Sequence, residues 1–182
     1  MLKILVFGAS NSQKSINKKL ATYASKLLKN ATTTILDLND FEMPIYGIDK
    51  EEKHGIPEKA KQFSNLINDH DGILISLAEH NGNFTVAFKN ITDWISRLEG
   101  KTWKDKKMVL LSTSTGGRGG ANVMGIALKS FPYAGADIIS HFSLPKFFVN
   151  FDDERGILDA QLNEDFRKAM NTFEDALSEK VS

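Results

Sequence analysis

Three short stretches carry the residue types that could hold a ligand or do chemistry. GASNSQKSIN, from Gly8 to Asn17, sets Ser10, Asn11, Ser12, Ser15 and Asn17 ahead of a helix-like run. Free backbone N–H groups and the helix dipole make such an N-terminus an anion site. Neutral hydroxyl and amide donors there suit a phosphate monoester held without a metal. The plainer alternative is a Ser/Asn-rich turn closed by an N-cap at Ser15. Two tighter phosphate motifs fail. A G-x-x-x-x-G-K-[ST] loop starting at Gly8 would need glycine where Gln13 stands, and no G-x-G-x-x-G follows the first apolar run.

LAEHNGNF, from Leu77 to Phe84, offers Glu79-His80 as an acid–base pair and Asn81-Gly82 as a strong turn dipeptide. His54, His70, His80 and His141 are scattered without metal-ligand spacing, and no G-x-S-x-G elbow supplies a nucleophile. The third stretch, STSTGGRGG, runs from Ser112 to Gly120 behind Met108-Val109-Leu110-Leu111. Ser114-Thr115-Gly116-Gly117 lets main chain approach a ligand where no Cβ intrudes. Arg118 either binds an anion or pairs with a carboxylate.

Periodicity gives the elements that must position these loops. LKILVFG (Leu2 to Gly8), TTTILDL (Thr32 to Leu38), GILISLA (Gly72 to Ala78), KMVLLST and ADIIS (Ala136 to Ser140) read as five strands. Helical spacing falls on SINKKLATYASKLL, on Pro57 to His70, on FTVAFKNITDWISRL, on Ala121 to Phe131 and on Leu162 to Leu177. The stretch from Asn39 to Gly55, with Pro44 and two glycines, reads as a long loop. Alternating βα units with apolar strands imply a doubly wound parallel sheet with helices on both faces. Ligands in such sheets bind outside the carboxyl ends of the strands, where the three loops fall.

Composition narrows the class. A length of 182 residues predicts a single domain over 1–182, and 41% apolar with 25% charged residues can form a core. The 23 basic and 23 acidic residues cancel, which removes the usual argument for a nucleic-acid or membrane partner. Without cysteine there is no thiolate or disulfide chemistry. No apolar run approaches the ~18 residues of a membrane span, and Met1-Leu2-Lys3 leads straight into a strand, so a cytoplasmic location is expected.

Together, GASNSQKSINKKLA, EHNGNFTVAFKNITDWISR and STSTGGRGG resemble, in order and approximate spacing, the NADPH-dependent FMN reductase family of flavodoxin-like proteins. The resemblance runs down to LPKFFVNFDDERG. Its most specific part is Glu-x-Asn-Gly at Glu79 to Gly82, followed by Lys89-Asn90 and Asp93-Trp94. It implies strand order 2-1-3-4-5 with FMN at the switch point between the first and third strands. Ser10, Ser15, Ile16 and Asn17 would bind the phosphate. Ala78, Glu79, His80, Asn81 and Gly82 would line the isoalloxazine edge, largely by main chain. Ser114, Gly116 and Gly117 would cover the other side of the ring, leaving Gly119 and Gly120 to let the next helix start close to the sheet. Asp93-Trp94 would be packing residues of a helix that forms a subunit interface in such proteins, as homodimer or homotetramer.

Three departures from the family pattern stand out. Asn11 and Ser12 occupy the loop where the family often has arginine. His80 replaces a common tyrosine. The first loop is one residue longer than the commonest form. The resemblance implies NADPH or NADH as electron donor and a small acceptor such as a quinone, azo compound, free flavin or metal oxyanion. It names no obligatory catalytic side chain and no metal. His80 is a candidate for substrate stacking or proton supply, and Met43-Pro44-Ile45-Tyr46 for a wall or lid at the acceptor. The alternatives are a flavodoxin-type electron carrier without NAD(P)H turnover and a flavin-free domain binding another phosphorylated ligand.

Overall fold

The computed structural model describes residues 1–179. In chain order it places β1 (Leu2–Gly8), α1 (Ile16–Ser25), β2 (Ala31–Leu36), α2 (Ile48–His54), α3 (Glu58–Asn68), β3 (Gly72–Leu77), β4 (Glu79–His80), β5 (Asn83–Phe84), α4 (Val86–Ile95) and β6 (Lys106–Thr113). These are followed by α5 (Ala121–Ser130), β7 (Ala136–Leu144), α6 (Phe147–Asn150), β8 (Phe151–Asp152), β9 (Gly156–Ile157) and α7 (Ala160–Ser178). The main sheet is parallel throughout, in the order β2-β1-β3-β6-β7. Counted along the chain, its five strands take the expected order 2-1-3-4-5.

The pleat explains why the central strands are apolar on both sides. Leu5 and Phe7 of β1, Ile73, Ile75 and Leu77 of β3, and Met108 and Leu110 of β6 meet α3, α4 and α5 on one face. Ile4, Val6, Leu74, Val109 and Leu111 alternate with them and meet α1 and α7 on the other. Fully buried Phe7, Phe63, Phe88, Phe166 and Phe173 each remove a large ring from water, roughly 2–3 kcal/mol apiece. Edge strand β2 departs from this pattern, with its central residues 32–35 exposed.

Residues 39–55 are not one loop. A 3₁₀ turn spans Leu38–Phe41, and α2 occupies Ile48–His54. None of α2's residues is buried, so it has no apolar stripe for periodicity to detect. Charge placement supports it instead: Asp49 and Glu51 in the first turn, Lys53 and His54 in the last, each favoured by the helix dipole. The fifth strand is also longer than the apolar run ADIIS, reaching Leu144 through an alternation of polar and apolar residues that suits a half-buried edge. The irregular stretch after it contains α6 and the β8–β9 pair. Phe84 and Leu98 lie outside α4, although Phe84 still packs edge-on against Phe88, their ring centroids 5.4 Å apart. Among the described residues no helix is long and apolar enough to cross a membrane.

Candidate functional site

The first loop builds a donor-rich helix start. Ser15 caps α1, its Oγ accepting from Lys18 N at 3.1 Å. Ser10 Oγ accepts from Ser12 N at 3.1 Å. Both serines are buried yet line the same cleft, and both keep a hydroxyl hydrogen to donate. The cap takes the N–H of Lys18, so those of Ile16 and Asn17 are the open donors of the first turn. Lys14, which no local pattern marks, lines this cleft too. It supplies a cation near the place where the family's arginine is missing.

Asn17 is not a ligand contact through its side chain. It is 3% exposed, and both polar atoms of its amide are bonded inside the protein. Nδ2 donates to Thr113 O at 3.1 Å. Oδ1 accepts from Ser76 Oγ at 2.7 Å and from Thr113 N at 3.0 Å. This one amide ties the start of α1 to the carboxyl ends of β3 and β6, and so fixes the spacing of all three loops. Only its main chain is left for an anion.

The second loop is a hairpin. β4 and β5 pair antiparallel around Asn81-Gly82, whose φ values of 51° and 77° are the pair of positive angles that a type I′ turn needs. Glu79 is held by the start of α5. Its carboxylate accepts from Asn122 N, Val123 N and Asn122 Nδ2 at 3.0, 3.1 and 3.2 Å, so it caps α5 from outside and holds the hairpin against that helix. From this segment Ala78, Glu79 and the exposed His80 line the cleft, whereas Asn81 and Gly82 of the expected set lie outside its walls. Thr85 fixes its far end, donating to Ala9 O at 2.8 Å and capping α4.

In the third loop the two glycine pairs separate. At Gly119 (φ 57°) a Cβ would meet Leu144 C and Pro145 N at 2.9 Å, and at Gly120 (φ 81°) it would meet Ser112 Cβ at 3.1 Å. These two are demanded by the fold. At Gly116 and Gly117 a Cβ would meet nothing nearer than 3.9 and 3.8 Å, and neither φ is positive. Nothing within the chain requires glycine there. Ser114 and Thr115 line the cleft, but Gly116 and Gly117 lie beyond its walls, tied back through the donation of Lys146 N to Gly116 O. Arg118 is exposed and donates to Asn122 Oδ1 at 2.6 Å.

The resulting cleft, about 250 Å³, is walled by Ser10, Lys14, Ser15, Ile16 and Asn17 from the first loop, Ala78, Glu79 and His80 from the second, and Thr113, Ser114 and Thr115 from the third. A second cavity of about 250 Å³ adjoins it, walled by Phe41, Met43 and Ile45 on one side and by Val86, Asn90 and Ile91 of α4 on the other. His80 is the one residue lining both. Asn90 holds the wall in place: its Nδ2 donates to Met43 O and Pro44 O at 3.2 Å, and its Oδ1 accepts from Tyr46 N at 2.8 Å. Trp94 Nε1 adds a bond to Pro44 O at 2.7 Å. Of the expected wall residues, Met43 and Ile45 face the cavity, while Pro44 and Tyr46 serve its attachment. Among the described residues no group of three His, Asp or Glu side chains could hold a metal.

Comparison with known proteins gives the family and the fold. Residues 2–148 match the family described as NADPH-dependent FMN reductase. The chain is 32% identical over 179 residues to a 2-hydroxy-1,4-benzoquinone reductase of Burkholderia sp, covering 96% of this chain and 93% of that one. Its fold is similar to that of the flavoenzyme NAD(P)H:(acceptor) oxidoreductase FerB of Paracoccus denitrificans, with TM-score 0.79, 22% identity and 98% of each chain covered. It is also similar to that of an NAD(P)H:quinone oxidoreductase of Methanothermobacter marburgensis, with TM-score 0.66, 15% identity and 96% of each chain covered.

Proposed function

Because this chain belongs to the NADPH-dependent FMN reductase family, we propose that the three-loop cleft holds FMN and that the adjoining cavity admits a quinone-class acceptor. The protein is an NAD(P)H-dependent flavin oxidoreductase. The observation that carries the site assignment is the convergence of the three loops on one cleft whose donors are neutral hydroxyls, open helix N–H groups and one lysine.

The fit to a flavin phosphate is chemical. Ser10, Ser15, the N–H groups of Ile16 and Asn17, and Lys14 all donate, while the one carboxylate nearby, Glu79, is consumed by α5. Ala78, Glu79 and His80 line the ring edge, with Asn81-Gly82 as the turn beyond it, and Ser114 and Thr115 lie on its other side, with Gly116 and Gly117 just past the cleft wall. When bound, FMN supplies two-electron transfer from a nicotinamide cofactor to an acceptor. The protein's part is to fix the ring, exclude water and orient the second reactant. His80, shared by the two cavities, is placed to stack on that reactant or give it a proton.

The quinone assignment draws on the 32% identical relative. The carrier alternative is set aside, since the family is one of reductases. Ile45 and Val86, 65% and 68% exposed at the acceptor cavity, support a homodimer pairing over this rim, to be checked by light scattering. We place the enzyme in the cytoplasm as one domain over 1–182, of which residues 180–182 lie outside the described residues.

The direct test is the visible spectrum of the purified protein. A flavin spectrum that bleaches under anaerobic NADPH and returns when a benzoquinone is added is expected. A colourless protein that takes up no FMN on reconstitution would sink the reading. Asn90→Ala removes three bonds that seat residues 43–46. It is expected to raise the quinone KM about three- to tenfold, or ~0.7–1.4 kcal/mol, while FMN affinity stays within about twofold. Steady-state kinetics and a flavin titration check both halves; an unchanged KM would show that this wall does not meet the acceptor.

A further inference from the structure

The flavin cleft does not end at the phosphate donors. Lys14 and Ser15 also form one end of a separate groove, about 440 Å³, that runs along the outer face of α1. That size falls in the range of small-ligand pockets, roughly 300–1,000 Å³. Lys14, Lys18, Thr22 and Lys26 line it at intervals of four, with half-buried Lys18 and Thr22 on α1 and exposed Lys14 and Lys26 just before and after it. From Ser15 to Lys26 the row covers roughly 16 Å of helix. Lys18 is held by Asp37 at 2.5 Å, and Lys19 by Asp153 at 2.7 Å on the opposite wall. Lys14 and Lys26 have no acidic partner among the described residues. The groove therefore starts at the phosphate site, carries surplus positive charge and has the length of a mononucleotide extension.

We propose that this groove binds the adenylate half of a flavin dinucleotide, so that the protein accepts FAD as well as FMN. The inference rests on the placement of the flavin phosphate at Ser15 to Asn17. A phosphate held there has its outward side toward Lys14 and the groove, and the second phosphate of FAD falls between Lys14 and Lys18. The adenosine then lies along Thr22 toward Lys26. FMN stops at the groove's mouth.

The test is titration of the apoprotein with FMN and with FAD, followed by flavin fluorescence, for wild type and two groove variants. Thr22→Trp fills the middle of the groove, and Lys26→Glu reverses its far charge; both positions lie outside the FMN cleft. Wild type is expected to bind FAD at least as tightly as FMN, with AMP competing against FAD and not against FMN. Thr22→Trp should weaken FAD at least tenfold, and Lys26→Glu about threefold, with FMN affinity within twofold in both. Retained FMN binding shows that each variant is folded. If FMN binds and the variants leave FAD affinity unchanged, the groove inference falls alone; if wild type binds neither flavin, the flavin site falls with it. On the FMN-loaded enzyme the KM for NADPH is expected to stay unchanged. A rise there, with FAD affinity intact, would give the groove to the adenylate of the nicotinamide cofactor and overturn the proposal.

Discussion

Asn17→Ala is expected to lower the unfolding free energy by about 3 kcal/mol and to weaken FMN binding at least tenfold. The amide is buried and makes three bonds, to Thr113 N, Thr113 O and Ser76 Oγ. Truncation leaves those three groups buried without partners, and each costs on the order of 1 kcal/mol or more when orphaned. For a chain of this size that corresponds to a fall of roughly 6–12 °C in Tm. The flavin effect has a separate origin. Asn17 sets the distance between the start of α1 and the ends of β3 and β6, so its loss lets phosphate donors and ring wall drift apart. Asn17→Asp should be nearly as harmful, because an acceptor then faces Thr113 O. Urea denaturation and FMN titration measure the two effects. A loss below about 1 kcal/mol would mean that the loops are held by something else.

The glycines of the third loop should divide sharply. Gly119→Ala is expected to cost about 2–4 kcal/mol, since alanine is strained at φ 57° and its Cβ would press on Leu144 and Pro145 main chain at 2.9 Å. Those atoms are backbone and cannot swing away as a side chain could. Gly116→Ala and Gly117→Ala are expected to change stability by less than about 0.5 kcal/mol, because the space around them is open. Each should nevertheless weaken FMN about tenfold if a flat ring lies against this main chain. Thermal melts without flavin separate the first pair of effects, and FMN titrations read the second. If Gly116→Ala and Gly117→Ala both bind FMN like wild type, the ring does not meet this loop, and Ser114 and Thr115 alone form that wall.

Several residues had chemistry visible in the sequence but a role hidden there. Glu79 beside His80 suggested acid–base work, yet its carboxylate caps a helix that begins 42 residues later, at Ala121. Asn17 stood among the phosphate donors, yet its side chain turns inward to a partner 96 residues away. Nothing local marks Lys14 as facing a cleft or Asn90 as seating a loop. Helix α2 is silent in the sequence for a related reason: with no buried face it leaves no apolar period.

The sequence by itself determined the five strands of the main sheet, most helices, the position of the three loops and the Asn81-Gly82 turn. Each of these depends on local spacing: apolar residues at period two or 3.6, a positive φ that asparagine and glycine tolerate, or a serine ahead of a helix. The resemblance carried the order of the sheet and the family. Tertiary structure alone decided which polar groups remain open to a ligand. That depends on which donors and acceptors are already satisfied by distant partners. Ser10, Ser15 and the N–H of Ile16 keep donors for the cleft, while the Glu79 carboxylate accepts from the start of α5 and the Asn17 amide is bonded to β3 and β6.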